Sequence, residues 1–399
     1  MMNFNKKTVR DIDVRGKKVL IRCDFNTPID ENGHLTDERR IQGALPTLRY
    51  LITSGAAVIV VSHLGRPKGQ YNPKYTLKPV ANRLSELLKM PVTLANDVIG
   101  EDADRLCAAI QPGEIVMLEN VRFHKEEEKN DPAFSQKLAS YADVYVNDAF
   151  GTSHRAHSST AGVAAYLPAV CGFLIEKEIS VIGKALTNPA RPFVAITGGA
   201  KVSDKIGVIN ALIDQCDTVI IGGAMSYTFL RALSGEVGNS PCELDKLDVA
   251  ADILMRALEG NVRLVLPDDV VVTKEFSPDA DAYVVDARHM PDGMGGMDMG
   301  PRTIEKFKRY LKDAGTVVWN GPLGVFEFDK FAGSTREIAR AVAESGAVSI
   351  IGGGDSAAAI EQLGFSDRVT HISTGGGASL ELIEGKELPG IACLMDSDE

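Results

Sequence analysis

Two lysines that follow a pair of glycines are the first residues whose types and spacing could do chemistry. The stretch Phe193-Val-Ala-Ile-Thr197 is apolar and β-branched, which predicts a short buried strand. The pair Gly198-Gly199 then permits a tight turn, and from Ala200 the apolar spacing predicts a helix. Free N–H groups at a helix start attract anions, and Lys201 and Lys205 add two cations there. The stretch predicts a phosphate site, although a generic turn with solvated lysines also explains it.

A second group of polar residues, rich in arginine, lies in the first half of the chain. Each member follows a predicted strand or lies near a helix start, and the carboxyl ends of parallel strands form the edge where ligands bind. The planar guanidinium group matches carboxylate and phosphate oxygens with two hydrogen bonds. The group therefore predicts an anion site, although any single arginine could instead pair with a neighbouring acid. Its members are Asp24, Asn26, Arg39, His63, Arg66, Arg122, His154 and Arg155.

Glycine takes the place of arginine after the predicted strands of the second half. The glycine-rich turns are Gly222-Gly-Ala224, Gly321-Pro-Leu-Gly324, Gly352-Gly-Gly354 and Gly375-Gly-Gly377. Such turns suit a flat base and a polyphosphate, because both need a close approach of the backbone. Asp355 follows the third turn and could cap a helix or hold Mg²⁺, which commonly uses one or two carboxylates plus phosphate oxygens.

Two other stretches could suggest a metal site but lack a full set of ligands. Residues 290–299 contain four methionines without cysteine or histidine at a useful spacing, which predicts a flexible loop or an apolar cover. His154 and His157 lie three residues apart with no third ligand nearby in the sequence. We therefore expect no metal bound by histidine or methionine.

The strands and helices that must position these residues alternate along the chain, which indicates an α/β fold with mainly parallel sheets. Two sets of similar size are separated by residues 172–186, whose apolar residues have helical spacing and which lead to Asn188-Pro189. We expect this helix to connect two domains. The alternative is an ordinary surface helix of one large domain.

Composition and charge exclude several classes of protein. The 399 residues suit about two to three domains, and 44% hydrophobic and 24% charged residues are typical of a soluble globular protein. The formal net charge of −11 argues against nucleic acid or an anionic membrane as the main partner. The six scattered cysteines lack a C-x-x-C pair and no apolar run approaches a membrane span or a signal peptide. We therefore expect a cytoplasmic protein.

An arginine-rich edge in one half and a glycine-rich edge with lysine and aspartate in the other suit phosphoryl transfer between two anionic ligands. That chemistry needs cations and N–H dipoles around the moving group, and it needs water to be excluded.

The sequence resembles the phosphoglycerate kinase family over essentially its whole length. The stretches that carry the resemblance, in the family's order, are Arg22-Cys-Asp-Phe-Asn-Thr-Pro28, Ser62-His-Leu-Gly-Arg-Pro67, Leu118-Glu-Asn-Val-Arg-Phe-His124, Val146-Asn-Asp-Ala-Phe-Gly-Thr-Ser-His-Arg-Ala-His157, Gly198-Gly-Ala-Lys-Val-Ser-Asp-Lys205, Trp319-Asn-Gly-Pro-Leu-Gly-Val-Phe-Glu327, Gly352-Gly-Gly-Asp-Ser356 and Ser373-Thr-Gly-Gly-Gly-Ala-Ser379.

The resemblance implies two Rossmann-like domains with mainly parallel sheets, joined by a connecting helix and with a cleft between them. It assigns a 3-phosphoglycerate-binding domain to residues 1–172, an interdomain helix to 173–187 and a nucleotide-binding domain to 188–386. Residues 387–399 would form a tail that returns to the N-terminal domain. The family's members are usually monomers, so we expect a monomer here.

The activity implied by the resemblance is a glycolytic phosphoryl transfer. A phosphoryl group would pass reversibly from 1,3-bisphosphoglycerate to ADP, giving 3-phosphoglycerate and ATP. The transfer would depend on Mg²⁺ as cofactor, with ATP or ADP as substrate, and would proceed directly and in line after domain closure.

Motif matches carry the family's site residues onto this chain, position by position. The glycerate ligand would be held by Asp24, Phe25, Asn26, Arg39, His63, Leu64, Gly65, Arg66, Arg122 and Arg155. The nucleotide, with Glu327 on its ribose and Asp355 on its Mg²⁺, would be held by Lys205, Asn320, Glu327, Gly353, Gly354, Asp355 and Ser356. The transferring phosphoryl group would be stabilised by Arg39, Lys201 and the N–H groups around Gly354 and Gly376.

Two features depart from the family's pattern, and two other classes of protein remain as alternatives. Ala224 stands where glycine is frequent, and residues 294–299 lack a tryptophan that many members carry, but no catalytic group is lost. A non-catalytic nucleotide-binding protein on the same scaffold predicts such a loss. An NAD-linked dehydrogenase rests only on the pattern Gly352-x-Gly354-x-x-Ala357, and the next predicted strand ends at Ser373 without the expected acid.

Overall fold

The computed structural model of the chain describes residues 3–397. Two compact units are present in this range: residues up to Ser180 together with those from Lys386 onward form the first, and residues 181–385 form the second. Each unit has its own apolar core. Met1 and Met2 of the predicted N-terminal domain, and Asp398 and Glu399 of the predicted tail, lie outside the described residues.

The first unit is built on a six-stranded sheet in which all adjacent strands are parallel. Its central strands are runs of apolar, largely β-branched residues, as expected of strands that are buried on both faces. The strands are β1 Lys18–Arg22, β2 Ala57–Val61, β3 Thr93–Leu94, β4 Ile115–Met117, β5 Val144–Asn147 and β6 Ala169–Cys171. Their order across the sheet is β3-β4-β2-β1-β5-β6.

The helices of the first unit pack apolar faces on this sheet. In the first helix, Ile41, Leu45 and Leu48 have the spacing of one helical face, and all three are buried in the core with Val58. The helices are α1 Arg39–Thr53, α2 Lys78–Leu88, α3 Glu101–Ala109, α4 Lys125–Glu128, α5 Pro132–Ala139 and α6 Phe173–Thr187. The boundary between the two units falls within α6, after Ser180.

The second unit repeats the plan of a six-stranded parallel sheet, with the strand order β10-β8-β7-β15-β16-β17. Five further strands lie outside this sheet. The strands are β7 Phe193–Thr197, β8 Thr218–Ile221, β9 Glu236–Val237, β10 Arg263–Val265, β11 Asp269–Thr273, β12 Ala282–Asp286, β13 His289–Met290, β14 Gly295–Met299, β15 Thr316–Asn320, β16 Val348–Gly352 and β17 His371–Ile372. The expected α/β fold with mainly parallel sheets is confirmed.

The prediction of a loop or cover at residues 290–299 is wrong for the second half of that segment. Residues 295–299 form β14, which pairs antiparallel with β11 in a three-stranded sheet of order β12-β11-β14. Strand β13, which ends at Met290, pairs with β9. Met290, Met297 and Met299 are buried, so they fill the core instead of covering it. Glycine and methionine have little preference for strands, and the segment therefore carries no alternating pattern that would predict one.

The helices of the second unit include one whose start differs from the sequence-based expectation. They are α7 Ile206–Ile213, α8 Met225–Ala232, α9 Leu247–Glu259, α10 Pro301–Leu311, α11 Gly333–Glu344, α12 Gly354–Gln362 and α13 Gly377–Ile383. Helix α7 was expected from Ala200 but begins at Ile206, and Lys205 has the non-helical backbone of its N-cap. Val202 is fully buried, so its apolar side chain serves the core and not a helical face.

The chain beyond Lys386 is tied to the first unit by polar contacts. It contains the short helix α14 Pro389–Ala392. The side-chain amide of Asn147 donates to the carbonyl of Gly390 at 2.6 Å, and the ammonium group of Lys6 lies 2.6 Å from the carboxylate of Asp396. Among the described helices, none has the length and apolar character needed to cross a membrane.

Candidate functional site

The carboxyl ends of the central strands of the first sheet meet at one edge. Arg22, the last residue of β1, is level with Val61 at the end of β2 and with Asn147 at the end of β5. The loops that carry the predicted glycerate-binding residues therefore leave the sheet side by side. We call this edge the arginine rim: it comprises the loops at 23–28, 62–67, 118–124 and 148–157, together with Arg39 and Arg40 at the start of α1.

Polar contacts hold the first two loops of the arginine rim together. The carboxylate of Asp24 accepts from the backbone N–H of Asn26 at 3.1 Å and from Arg40 Nη1 at 2.8 Å. The side-chain oxygen of Asn26 accepts from the backbone N–H of Gly65 at 2.8 Å. The structure thus brings three predicted residues together and adds Arg40, which the sequence-based selection missed. Its position next to Arg39 at a helix start is the signal that could have found it.

Phe25 and Leu64 anchor these two loops through buried side chains and backbone hydrogen bonds. Both side chains are buried. The backbone N–H of Phe25 donates to Ser62 Oγ at 2.9 Å, and the side-chain amide of Asn120 donates to the carbonyl of Leu64 at 2.7 Å. These two residues therefore set the backbone path that presents their polar neighbours.

Arg122 is a partly buried cation of the arginine rim. Its Nη1 donates to the carbonyl of Gly65 at 3.0 Å, whereas its buried Nε has no hydrogen-bond partner among the described residues. The nearest carboxylate is that of Glu128, 3.7 Å from Nε. Burial, together with the charge of Arg22, lowers the pKa of Arg122. A buried donor without a partner is costly unless a ligand accepts from it.

The other predicted arginines differ in how they are paired. Arg66 and Arg155 are exposed, and their side chains have neither a hydrogen bond nor an ion pair with the part of the chain that the structure describes. Arg39 begins α1 and its guanidinium group binds the carboxylate of Asp37, with Nη2 2.6 Å from Oδ2.

Two histidines of the arginine rim are held neutral. His63 is almost fully buried, and burial, reinforced by the charges of Arg22 and Arg122, lowers its pKa well below the usual value. The same causes lower the pKa of His157 to about 4. The Nδ1 atom of His157 is buried without a hydrogen-bond partner in the described range. His157 is not among the site residues that the sequence predicts.

The corresponding edge of the second sheet is made mainly of backbone, and we call it the glycine rim: the turns at 198–205, 222–224, 321–327, 352–356 and 373–377. The N–H of Gly198 donates to the carbonyl of Asn320 at 2.8 Å, and the N–H of Gly199 donates to that of Pro322 at 3.1 Å. A Cβ atom at Gly198 or Gly321 would overlap the backbone of the opposite turn. Gly321 also has a φ of +93°, which favours glycine.

Asn320 provides a buried donor at the start of a helix in the glycine rim. Its side chain is 3% exposed, and its Nδ2 has no hydrogen-bond partner among the residues described. The atom would lie 2.8 Å from a Cβ built at Gly353, where φ is +84°, directly before α12 begins at Gly354. Ser356 Oγ is occupied, since it accepts from the N–H of Gly321 at 2.5 Å. A free amide donor beside a helix N-terminus is suited to phosphate oxygens.

The charged residues of the glycine rim form no ion pair among the residues that the structure describes. Burial lowers the pKa of Lys205 to about 8, and the nearby carboxylates of Asp355 and Asp204 oppose that effect. Asp355 lies in the first turn of α12, after the N-cap Gly353, and its exposed carboxylate makes no hydrogen bond with a described residue, so it does not cap the helix. Lys201 is exposed, with no ion pair or hydrogen bond to any described residue.

Two further predicted residues, Glu327 and Gly376, lie on the glycine rim. The Glu327 side chain is exposed and makes no hydrogen bond within residues 3–397. Gly376, with a φ of +49°, precedes α13. The described residues contain no group of three or more His, Cys, Asp or Glu side chains that could hold a metal ion. A metal at Asp355 would therefore need most of its ligands from a bound phosphate and water.

The two rims define an α/β protein suited to phosphorylated anions, and comparisons with known proteins assign its class. A model of the family described as phosphoglycerate kinase matches residues 9–386. The chain is 56% identical over 398 residues to a phosphoglycerate kinase of Clostridium botulinum strain Okra, covering 99% of this chain and 100% of that one. It is 54% identical over 396 residues to one of Clostridium tetani, covering 98% of each chain.

Solved structures give the same answer. The structure of phosphoglycerate kinase from Coxiella burnetii superposes with a TM-score of 0.89 at 41% identity, covering 97% of this chain and 98% of that one. That of the enzyme from Pyrococcus horikoshii superposes with a TM-score of 0.85 at 34% identity and the same coverage. The chain belongs to the phosphoglycerate kinase family. It is therefore a kinase, a transferase of glycolysis.

Proposed function

We propose that this enzyme transfers a phosphoryl group reversibly from 1,3-bisphosphoglycerate to ADP, giving 3-phosphoglycerate and ATP. The observation that supports this most strongly is that each rim holds a buried donor nitrogen that makes no hydrogen bond with a described residue. These donors are Arg122 Nε on the arginine rim and Asn320 Nδ2 on the glycine rim. Two separate sites for anionic ligands are what a transfer between two phosphorylated compounds requires.

For the first unit we propose the glycerate ligand. Arg66, Arg122 and Arg155 have guanidinium donors that protein acceptors leave unused, and they would bind its phosphate and carboxylate oxygens. Arg39 would exchange its bond with Asp37 for one with the ligand. The remaining members of this proposed binding site are Asp24, Phe25, Asn26, His63, Leu64 and Gly65, whose contacts with one another support a preformed pocket.

For the second unit we propose the nucleotide. Asn320 and the N–H groups at Gly353 and Gly354 would bind phosphate oxygens at the start of α12. Lys205 would neutralise the same phosphates, while Ser356 would hold the Gly321 turn in place. Glu327 would accept from the ribose hydroxyls, because its exposed carboxylate has no described partner.

The transfer itself is proposed to be direct and in line, without a phosphorylated protein intermediate. Lys201, Arg39 and the N–H groups of Gly354 and Gly376 would stabilise the charge that develops on the moving phosphoryl group. Asp355 would hold Mg²⁺, which when bound neutralises phosphate charge, and the exposed carboxylate fits that ion because no cap hydrogen bond occupies it. We also propose a cytoplasmic monomer whose residues 387–399 belong to the 3-phosphoglycerate-binding domain.

The test is a coupled assay of the reverse reaction. ATP-dependent phosphorylation of 3-phosphoglycerate is followed as NADH oxidation through glyceraldehyde-3-phosphate dehydrogenase, with Mg²⁺ and with a chelator. We expect turnover that requires both substrates and the metal. Controls without 3-phosphoglycerate and with 2-phosphoglycerate should be silent.

The outcomes of this assay separate the proposed function from its alternatives. Folded protein that binds ATP and 3-phosphoglycerate but shows no turnover would contradict the transfer and favour a non-catalytic nucleotide-binding protein. Oxidation of NADH without the coupling enzyme would instead indicate a dehydrogenase. Turnover that persists in the chelator would remove Mg²⁺ and Asp355 from the proposal while leaving the transfer itself intact.

A further inference from the structure

Behind the arginine rim lies a buried polar network that the proposed binding roles leave unexplained. It consists of Glu127, Ser159, Arg22 and His63, all exposed by 2% or less. Glu127 and Ser159 are too deeply buried to contact a ligand, and a buried carboxyl group is costly unless its oxygens are satisfied. The network therefore needs an explanation within the first unit.

The hydrogen bonds from Glu127 to Arg22 have one possible direction. Arg22 Nε can only donate, so Ser159 Oγ, 2.8 Å away, must accept from it. The hydroxyl proton of Ser159 then points to Glu127 Oε1 at 2.5 Å, and the backbone N–H of Ser159 donates to Oε2 at 3.0 Å. Both carboxyl oxygens of Glu127 act as acceptors. Burial raises the pKa of Glu127, whereas the charge of Arg22 and the two hydrogen bonds from Ser159 oppose that effect and favour the carboxylate, which balances the buried charge of Arg22.

The hydrogen bond from Arg22 to His63 fixes the state of the imidazole ring. Arg22 Nη2 lies 3.2 Å from His63 Nδ1, and since the guanidinium group has no acceptor, Nδ1 must carry a lone pair. Arg22 Nη1 is held by the carbonyl of Cys23 at 2.5 Å. Burial lowers the pKa of His63 well below its usual value, so the ring is neutral at pH 7. A neutral ring without a proton on Nδ1 carries it on Nε2.

The tautomer matters because His63 Nε2 makes no hydrogen bond with a described residue. An Nε2–H group donates to a carboxylate or phosphate oxygen, whereas a bare Nε2 presents a lone pair that repels it. A free imidazole populates both tautomers, so the surroundings decide which face the ring shows to an anion.

We propose that Glu127 and Ser159 are positioning residues that act through Arg22 to hold His63 as the Nε2–H tautomer, ready to donate to an oxygen of the glycerate ligand. The ligand contact rests on the proposed function, whereas the tautomer does not. Glu127 thereby contributes to ligand recognition without touching the ligand, by anchoring the guanidinium group that donates to His63.

The direct test is NMR of protein labelled with ¹⁵N in histidine, using long-range ¹H–¹⁵N correlations that distinguish the two tautomers. The variants are Ser159→Ala and Glu127→Gln. The control is Glu126→Gln, because Glu126 lies on the same helix as Glu127 and its side chain makes no hydrogen bond or ion pair with a described residue. His63→Gln assigns the signal. We expect the Nε2–H tautomer alone in the parent and the control, and a mixture in Ser159→Ala and Glu127→Gln. A parent with the proton on Nδ1, or variants with an unchanged pattern, would overturn the proposal.

Steady-state kinetics add a readout that general destabilisation would not move. In Ser159→Ala and Glu127→Gln we expect KM for 3-phosphoglycerate to rise about tenfold, as for the loss of one charge-assisted hydrogen bond, with kcat and the KM for ATP within about twofold. Equal changes in both KM values would contradict the positioning role. If Glu127→Gln does not fold, Ser159→Ala alone decides. If the parent itself has no turnover, the proposed function fails, while the tautomer spectrum still tests the network.

Discussion

The two rims occupy equivalent edges of two similar parallel sheets, yet they are built from different materials. The arginine rim consists of side chains whose charges are partly paired, such as Arg40 with Asp24, and partly free, such as Arg66. The glycine rim consists of backbone turns in contact, such as Gly198 with Gly321, and a few polar side chains added to them. One rim therefore depends on charge and the other on shape.

Because the rims are built differently, substitutions in them should have different effects. Replacing a free guanidinium group removes ligand affinity but leaves the fold intact, because no protein group loses a partner. Replacing a glycine at a backbone contact displaces a turn, so it damages the fold and the site together.

Lys201 tests what a charged side chain contributes to the glycine rim. Lys201→Ala removes a cation without a described partner, and the loss of a preorganised charge at the transferring group should lower kcat by about 10²–10³. The affinity for nucleotide should change much less. Lys274→Ala, at another exposed lysine of the second unit, is the matched control and should keep full activity. An unchanged kcat in Lys201→Ala would remove this residue from the transfer.

Gly321 tests the role of shape. Gly321→Ala adds a Cβ that overlaps the backbone of Gly198 at a φ of +93°, and the free energy of unfolding should fall by about 2–4 kcal/mol. Gly346→Ala has a φ of +72° with no atom within 4 Å of the added Cβ, and should cost only about 1 kcal/mol. Urea denaturation measures both. Equal losses of stability would mean that the cost of Gly321→Ala comes from the positive φ and not from the contact between the two turns.

Arg66 and Arg40 separate free from paired charges on the arginine rim. Arg66→Gln should raise KM for 3-phosphoglycerate at least tenfold with stability unchanged within about 0.5 kcal/mol. Arg40→Gln breaks a bond to the largely buried carboxylate of Asp24 and should cost about 1–2 kcal/mol of stability. Thermal denaturation measures the stability of the two variants, and steady-state kinetics measure KM. If Arg66→Gln were less stable than Arg40→Gln, the distinction between a free and a paired arginine would be contradicted.

The smallest effect is the pH dependence of nucleotide binding, which Lys205 should set. Its pKa of about 8 lies below the ordinary 10.5, so the ammonium charge is lost between pH 7 and 9, and the affinity for ADP should fall by about tenfold at pH 9. In the same protein, Lys205 contributes a rise in stability from about pH 8 to 10.5, because the unfolded chain holds the proton more tightly there.

Lys205→Arg is the control for this prediction, because arginine does not titrate in this range. Calorimetric titrations of ADP at pH 7, 8 and 9 should give a nearly constant affinity in the variant. If the parent's affinity were equally constant, the charge of Lys205 would not be the group that titrates.

How much could be predicted from the sequence depended on whether the signal was local. Strands such as Phe193–Thr197 are uniform apolar runs, and a parallel sheet follows from their alternation with helices. The strand at Gly295–Met299 has no such pattern, because its pairing with β11 is a tertiary contact. The start of α7 was placed too early for a related reason: Val202 belongs to the core and not to a helical face.

The candidate site likewise has features that the sequence predicts and features that only the structure shows. The residue types of the rims could be selected from their positions after strands, and Asn26, Gly65 and Arg122 do meet in the structure. Which donors stay without partners could not be selected, because that depends on the placement of every neighbouring acceptor. For this reason the role of Arg40 as the partner of Asp24 and the buried Nδ1 of His157 emerged only from the structure.

The central claim is that the arginine rim binds the glycerate ligand and the glycine rim binds the nucleotide. Isothermal titration calorimetry of 3-phosphoglycerate and of ADP with Mg²⁺, on Arg66→Gln and on Lys205→Gln, tests it most directly. We predict that Arg66→Gln weakens only 3-phosphoglycerate and that Lys205→Gln weakens only the nucleotide, each by about tenfold or more. Variants that weaken both ligands equally, or that exchange these effects, would contradict the assignment of the two ligands to the two rims.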